Sequence, residues 1–516
     1  MFRRLLALVF LFAPAAAHAD WYEVSTGHFV IYSDQKPERL REFATNLERF
    51  DKALRLRLNQ RDDPVGKANR VTIYVVDDIS DVVELAGKRG VAGFYRARAG
   101  GSLAIVPKSA GNGAIGSIDA QLILLHEYTH HLMWSFSPNT VYPGWYVEGF
   151  AEFFASAIFD KDGSVILGAP PQYRARVVMD GNALPVEKLL VSQPLTLKDD
   201  QRAALYGRGW LLLHYLIYGD PARKGQLDAY IDALNKGRSP TEAASVFGDL
   251  RKLDAELERY KRGTFPRVRV TAAALPIGDI ALRRLTDGEA ATMAVRIRSK
   301  NGVGGKLAQK VYDDARKAAK DYPGDPGAQL VLAEAAFDAR DLPEAEAAAD
   351  RALAADPKAV DGYVYKALAR ILAANQARDR SKATWDGIRK IVATGNRLDP
   401  EDPEPLLIYY RTFAQNGIPP SASAKLGLAK AFSLAPQDRN LRFRTAVMYL
   451  EDGKKAEARA LLAPLAYRPH GQALAQRAAQ IIATIDAGVV ADAIKQADRP
   501  VPAGEEADNP NGDQDR

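Results

Sequence analysis

The most constraining feature of this 516-residue sequence is a pair of histidines four positions apart, His126 and His130, with Glu127 beside the first. Residues four apart stand one turn above each other on a helix, about 6 Å along its axis. Two imidazoles at this spacing can bind one metal ion, and a neighbouring carboxylate can accept a proton from water there. The H-E-x-x-H pattern therefore predicts a helix over 118–134. A histidine pair in a core or on the surface is the alternative interpretation.

A catalytic zinc site needs a third protein ligand and one open coordination position. Glu148 lies eighteen residues after His130, in the segment GWYVEGFAEFF, and follows a loop that contains prolines. We predict a second helix over 145–159 that folds back and carries Glu148 to the two histidines. The chain contains no cysteine, which excludes thiolate ligands, disulfides and cysteine nucleophiles.

The segment HEYTH followed by WYVEGFAEFF resembles the gluzincin metallopeptidases, whose third zinc ligand is a glutamate on the following helix. The residues around Glu148 are similar to the W-x-x-E-G-x-A segment of M1-type aminopeptidases and the wider MA-like group. The resemblance implies that His126, His130 and Glu148 bind Zn2+ and that Glu127 is the general base. The spacing to Glu148 is one residue shorter than in typical M1 enzymes, and the chain has no clean copy of their G-A-M-E-N motif. The resemblance therefore implies a zinc peptidase without an M1-type specificity.

Two further residues are candidates for supporting roles. Glu152 lies one helical turn after Glu148, where gluzincins often place a carboxylate that accepts a hydrogen bond from a ligand histidine. Tyr206, in LYGRGW, lies where related families often place a tyrosine that donates to the oxyanion. A glutamate on a polar helix face and a tyrosine in the core are the respective alternatives.

Other residues near these motifs have weaker assignments. Arg208 is a lesser candidate for the oxyanion or for a substrate carboxylate, whereas His131 and His214 are predicted to be structural. The strand 102–107, just before the metal helix, is expected at the edge of a sheet, where an extended peptide can be added as a strand. An interior strand is the alternative.

The N-terminus has the pattern of a secretory signal peptide over 1–19. Arg3 and Arg4 precede the apolar run LLALVFLF, and AHA supplies small residues before the expected cleavage after Ala19. An uncleaved anchor is the alternative, although the run is shorter than the roughly 20 residues that a span needs. We expect an exported protein without a membrane span in the mature chain, in a bacterial periplasm.

The C-terminal half, 304–487, is alanine-rich and helical. Residues 325–357 pair two amphipathic helices and end in proline, which resembles a tetratricopeptide repeat, and similar units end at Pro436 and Pro469. A plain helical bundle is the alternative. Residues 265–303 are predicted to be a short β-rich linker, and 488–516 a disordered tail.

The predicted fold is an α+β zincin-like catalytic domain over 20–264, followed by an all-α tetratricopeptide-like domain. The expected activity is zinc-dependent peptide-bond hydrolysis, with the repeats binding a protein partner or substrate, and activity and metal retention should fall in acid. The alternatives are a protein-binding scaffold with a non-proteolytic zinc module, and an amidase acting on cell-wall peptides. Acidic and basic residues are interleaved and the net charge is only +6, so no nucleic-acid partner is expected.

Overall fold

The structure of the chain, a computed structural model, describes residues 20–87, 91–108, 120–179, 184–192, 197–467 and 472–497. The predicted signal peptide, 1–19, lies outside these residues, as does the 498–516 part of the predicted tail. In the part that is described, no helix combines the length and apolar character needed to cross a membrane.

The strands of the described residues lie before position 285. They are β1 (Tyr22–Ser25), β2 (Phe29–Ser33), β3 (Val71–Val76), β4 (Phe94–Arg96), β5 (Leu103–Pro107), β6 (Ile158–Phe159), β7 (Val165–Leu167), β8 (Val268–Val270) and β9 (Ala281–Arg284). Within the described ranges, six strands form one mixed sheet in the order β4-β5-β3-β2-β1-β9, and three form a small sheet in the order β6-β7-β8. Strands β2, β3 and β5 are parallel, and their other neighbours are antiparallel.

Helices surround these sheets and make up most of the other described residues. The N-terminal helices are α1 (Pro37–Arg57), α2 (Ile79–Ala86), α3 (Ala120–Phe136), α4 (Gly144–Ala155), α5 (Ala175–Met179), α6 (Val186–Val191), α7 (Asp199–Tyr218), α8 (Gln226–Asn235), α9 (Pro240–Ala243) and α10 (Leu250–Tyr260). The C-terminal helices are α11 (Asp287–Asn301), α12 (Gly305–Ala319), α13 (Pro326–Asp338), α14 (Leu342–Ala355), α15 (Val360–Gln376), α16 (Lys382–Leu398), α17 (Pro403–Gln415), α18 (Ala422–Leu434), α19 (Arg439–Glu451), α20 (Lys455–Ala466), α21 (Gln472–Asp486) and α22 (Val490–Ala497).

The large sheet is buried on both faces, because alternate residues of its strands belong to different cores. On β3, Ile73 and Val75 pack into the core that contains α1, α3, α4 and α7. Tyr74 and Val76 pack on the opposite face, beneath α11. This period of two is what a strand produces when helices cover both of its faces.

The C-terminal helices form a tetratricopeptide-like array. Each helix packs against the next in sequence, and α11, α13, α15 and α17 also pack against one another in succession. This stacking of helix pairs is typical of a solenoid of repeats. The predicted unit 325–357 corresponds to α13 and α14, and the stretch from there to Pro436, the end of the next predicted unit, holds α15, α16, α17 and α18.

The array also contacts the N-terminal domain directly. The backbone N–H of Ala99, in the loop before β5, donates to Asp438 Oδ2 at 2.8 Å, and Gln437 Nε2 donates to Ser102 Oγ at 3.3 Å. Near the far end of the array, Tyr467 packs against the large core of the first domain. The two regions therefore share an interface, to which we refer as the seam.

Several local expectations differ from the structure. Strand β5 lies between β4 and β3, so 102–107 is interior, and β4 is the outer strand. Helix α4 ends at Ala155, and the residues 158–159 form β6. The last helix, α22, lies inside the range predicted as a disordered tail, because Val490 and Ile494 pack on the core of the array.

The segment 265–303 is not a separate β-rich linker. Its strands extend the two sheets of the first domain, since β8 pairs with β7 and β9 pairs with β1. Residues 287–301 form the helix α11, which begins with a capping box between Thr286 and Glu289. This S/T-x-x-E pattern is a helix start signal that favours helix over the predicted strand.

Candidate metal centre

The candidate site is built where α4 crosses α7 at two glycines. A Cβ on Gly149 would lie 2.4 Å from the carbonyl carbon of Gly209, and a Cβ on Gly209 would lie 2.5 Å from the oxygen of Trp145. The two backbones are therefore in contact, and any side chain larger than hydrogen at either glycine would force the helices apart. This close approach brings Glu148 of α4 next to Tyr206 of α7.

The structure brings the three predicted metal ligands together. The Nε2 atoms of His126 and His130 are 3.2 Å apart, and Glu148 Oε2 lies 3.4 Å from the first and 3.5 Å from the second. Ligands at 2.0–2.1 Å from a tetrahedral zinc ion are separated by roughly 3.3 Å. The nearly equilateral triangle therefore fits a zinc ion above it. Each imidazole keeps 12% of its side-chain surface exposed, whereas the Glu148 side chain is fully buried.

The electrostatics of the site favour a positive charge between these residues. Burial lowers the pKa of His126, but its hydrogen bond to Glu148 and the charges of Glu152, Glu148 and Glu127 outweigh burial and raise the pKa to about 9. A proton, or a cation in its place, is therefore held strongly here. Glu127 is half-buried, and its charge contributes to the raised pKa of His126.

Glu152 faces the outer nitrogen of His126 but is not hydrogen-bonded to it, because Glu152 Oε1 lies 3.8 Å from His126 Nδ1. The carboxylate instead accepts hydrogen bonds from Arg174, with Nε at 3.1 Å and Nη2 at 2.9 Å from Oε1. The hydroxyl of Tyr173 donates to Oε2. These two partners, on a short 3-10 helix at Gln172–Arg174, were not identified from the sequence. The segment PPQYR has no motif that points to the site.

Tyr206 lies beside the ligands, as its candidate role requires. Its ring stacks on that of His126, with centroids 6.0 Å apart and an interplanar angle of 13°. Burial raises the pKa of Tyr206 far above its usual value, and the nearby charge of Glu148 raises it further. The hydroxyl therefore remains protonated and can donate a hydrogen bond.

Arg208 is directed away from the ligands and belongs to an ion-pair network. Its guanidinium lies 2.6 Å from Asp254 Oδ1 and 2.5 Å from Glu258 Oε1. The weaker candidate role of Arg208 in holding the oxyanion or substrate is therefore wrong, because both of its charged partners lie on α10.

His131 and His214 are placed in packed surroundings, as predicted. The Nδ1 atom of His131 lies 2.7 Å from the Tyr95 hydroxyl, and burial lowers the pKa of His131 to about 3. The Nε2 atom of His214 lies 3.2 Å from the carbonyl oxygen of Gly168, and burial lowers the pKa of His214 to about 4. Both imidazoles are thus held neutral as structural groups.

A second group of side chains, His28, Asp51 and Asp62, also has potential ligand atoms close together. Its anionic charge is already matched by protein cations. Arg55 Nε lies 2.6 Å from Asp51 Oδ2 and 3.7 Å from Asp62 Oδ1, and Lys52 pairs with Asp62. We therefore interpret this group as an ion-pair network that joins β2 to α1.

Comparisons with solved structures give matches of low TM-score. No family model matches the chain, and no curated protein matches it. A thermophilic tetratricopeptide-repeat protein from Thermus thermophilus superposes at a TM-score of 0.30 with 22% identity, over 37% of this chain and 93% of that one. Yeast Tom70 superposes at 0.26 with 13% identity, over 72% of this chain and 76% of that one. The description of the C-terminal region as a tetratricopeptide-like repeat scaffold rests on its own helix pairing.

Proposed function

We propose that the chain is a zinc-dependent hydrolase of peptide bonds, with a gluzincin-like catalytic domain and a helical array that binds a protein partner or substrate. One observation carries the proposal. Two imidazole nitrogens and one carboxylate oxygen lie 3.2 to 3.5 Å apart, at the corners expected for three ligands of one tetrahedral ion. Glu127, which follows His126 in the sequence, is the residue to which we assign the role of general base.

The residues of the site have distinct roles in this reaction. Bound zinc would supply Lewis-acid activation of water and of the scissile carbonyl. Glu127 accepts a proton from the attacking water and delivers it to the leaving amine. Tyr206, whose raised pKa keeps its hydroxyl protonated, donates a hydrogen bond to the developing oxyanion. The outer strand β4 offers an edge along which an extended substrate can lie.

The test compares the full-length wild type with Glu127→Gln, assayed for bound zinc and for cleavage of a broad peptide library that includes cell-wall cross-link peptides. We expect equal zinc in both proteins and a loss of cleavage of about 10²- to 10⁴-fold in the variant, the usual contribution of a general base. Glu148→Gln should instead weaken zinc binding. Cleavage confined to the cell-wall peptides would identify the amidase.

The matched control is Glu187→Gln, which changes an exposed glutamate on α6 and should leave zinc and cleavage unchanged. A wild type that does not bind zinc, or a Glu127→Gln protein that cleaves as fast as wild type, would refute the proposed activity.

The helical array supports a second candidate function, a protein-binding scaffold with a non-proteolytic zinc module. A groove of about 1270 Å³ lies between α12, α13 and α14. Its lining is strongly charged and includes Arg316, Lys317, Lys320, Glu344 and Arg351. Concave repeat surfaces of this kind bind extended segments of other proteins. Zinc binding without cleavage by wild type, with partner capture that Lys317→Glu abolishes, would favour the scaffold.

A further inference from the structure

We propose that Arg174, together with Tyr173, is a positioning residue that holds Glu152 in place behind His126, and that Arg174 also fixes the ring of Tyr206. This inference rests on the proposed function, since it concerns the same ligand histidine and the same oxyanion donor. It adds to the site two residues that have no counterpart in the motifs from which the site was predicted.

The first argument is the way in which the Glu152 carboxylate is held. Glu152 is fully buried, and each of its oxygens has a different partner. Oε1, the oxygen that lies 3.8 Å from His126 Nδ1, accepts hydrogen bonds from both Nε and Nη2 of Arg174. Oε2 accepts a hydrogen bond from the hydroxyl of Tyr173. The arginine therefore sets the direction of the oxygen that faces the ligand histidine, and a partner of that kind controls the orientation and basicity of a metal-bound imidazole.

The second argument is that the same guanidinium contacts the candidate oxyanion donor. The Cζ atom of Arg174 lies over the ring of Tyr206, 5.0 Å from its centroid. That ring is in turn stacked on the imidazole of His126. Arg174 therefore contacts both Glu152 and Tyr206, which an isolated ion pair on the surface would not do. A planar guanidinium can do so because it donates in its plane and stacks through its face.

The third argument is that the segment carrying Arg174 is anchored to the helices of the site. Ser156, at the end of α4, donates through Oγ to the carbonyl oxygen of Ala169 at 2.5 Å. The neighbouring carbonyl of Gly168 lies 3.2 Å from His214 Nε2 on α7. Gly168 has φ +78°, and a Cβ there would lie 3.0 Å from Phe153 Cζ, so the turn is tightly packed. Arg174 thus extends from a fixed point toward Glu152.

The test uses the full-length chain with Arg174→Ala and Arg174→Lys. The control is Arg176→Ala, an exposed arginine two positions further along, on α5. Zinc affinity is measured by competition with a chromophoric chelator, and the ligand geometry by the visible spectrum of the Co2+-loaded protein. We expect Arg174→Ala to bind zinc about 10- to 100-fold more weakly and to shift the cobalt spectrum. Arg174→Lys should restore little of this, because an ammonium cannot form the two-nitrogen contact. The control should match wild type.

A second measurement separates this inference from the proposed activity. The 15N chemical shifts of the His126 ring, read in the metal-free chain, should change in Arg174→Ala and remain unchanged in Arg176→Ala. If wild type binds no zinc, the proposed function fails and these shifts still decide the positioning role. If Arg174→Ala does not fold, Tyr173→Phe should show the same shifts to a smaller extent. Zinc affinity within about twofold of wild type, with unchanged His126 shifts, would overturn the inference.

Discussion

The two halves of the molecule bring helices together with different small residues. In the first domain, α4 and α7 cross at Gly149 and Gly209, with backbone against backbone. In the array, α13 and α14 pack against each other and carry alanines that are fully buried: Ala333, Ala336, Ala345, Ala348 and Ala349. A methyl group leaves ordinary helix packing intact, whereas a hydrogen permits a closer approach.

The proposed function accounts for the difference. To hold one ion, the proposed ligands on different helices of the first domain would have to lie within about 3.3 Å of one another, with a tolerance of a few tenths of an ångström. A scaffold that presents a continuous surface would need only to stack its helices. The comparison therefore predicts that the first domain tolerates little change at its crossing, while the array is robust and is coupled to the site only through the seam.

The largest expected effect tests whether the array is energetically separable from the site. Trp385 is fully buried in α16, and its indole N–H donates to the carbonyl of Asp379 at 2.8 Å. Trp385→Ala should cost about 3–5 kcal/mol of unfolding free energy, measured by urea denaturation, because it leaves a large cavity. Zinc affinity of the folded variant at low temperature should be unchanged. A parallel fall in zinc affinity would show that the two regions are not separable.

A slightly smaller effect is expected at the glycine crossing. Gly209→Ala places a methyl group 2.5 Å from the oxygen of Trp145, a backbone atom, and should cost about 3 kcal/mol and weaken zinc binding. Gly387→Ala in α16 meets nothing within 4 Å and should stabilise the array by up to about 1 kcal/mol through helix propensity. Thermal unfolding and chelator competition measure both. Equal stabilities for the two variants would contradict the comparison.

The seam between the regions should contribute less. Asp438 is buried at the start of α19. Its Oδ1 accepts a hydrogen bond from the backbone N–H of Leu441 at 2.9 Å, and its Oδ2 accepts one from the backbone N–H of Ala99 at 2.8 Å. Asp438→Ala leaves two buried donors without an acceptor and should cost about 2 kcal/mol in urea unfolding. Asp438→Asn keeps one acceptor oxygen but turns an amide NH2 toward the other backbone N–H, so it should cost at least about 1 kcal/mol. An Asp438→Asn protein as stable as wild type would mean that one of the two hydrogen bonds contributes nothing.

The smallest expected effect near neutral pH is a pH dependence carried by His131, which grows as the pH falls. Burial, with the charges of Arg55 and His28, lowers the pKa of His131 to about 3, below its unfolded value near 6.5. Protonation therefore favours the unfolded chain, so stability is complete above pH 6.5 and falls toward pH 3. The loss approaches about 1.4 kcal/mol per pH unit. His131→Gln should flatten this part of the curve in urea titrations between pH 7 and 5. An unchanged slope would exclude His131 as its source.

Much of the site was predictable from its local spacing. The metal helix, observed over Ala120–Phe136, and the following helix with Glu148 follow from the H-E-x-x-H and W-x-x-E-G patterns. The paired helices of the array follow from their amphipathic spacing and closing prolines. These features depend on residues within one or two turns of each other, where the geometry of a helix is sufficient to place them.

Other features depend on contacts between distant segments and could not be predicted in this way. Arg174 reaches Glu152 across 22 positions, and Asp438 meets Ala99 across 339. Whether β5 is an edge or an interior strand depends on β4, a three-residue strand whose pairing its own sequence does not encode.

The sequence by itself determined which residues can bind a metal ion, because ligand chemistry and helical period are local properties. Only the tertiary structure decided that Glu148 lies within 3.5 Å of both imidazoles, that Arg174 holds Glu152, and that Arg208 is directed elsewhere. The physical reason is packing. The position of a side chain relative to another element depends on how closely the two backbones approach, and here that distance is set by two glycines on different helices.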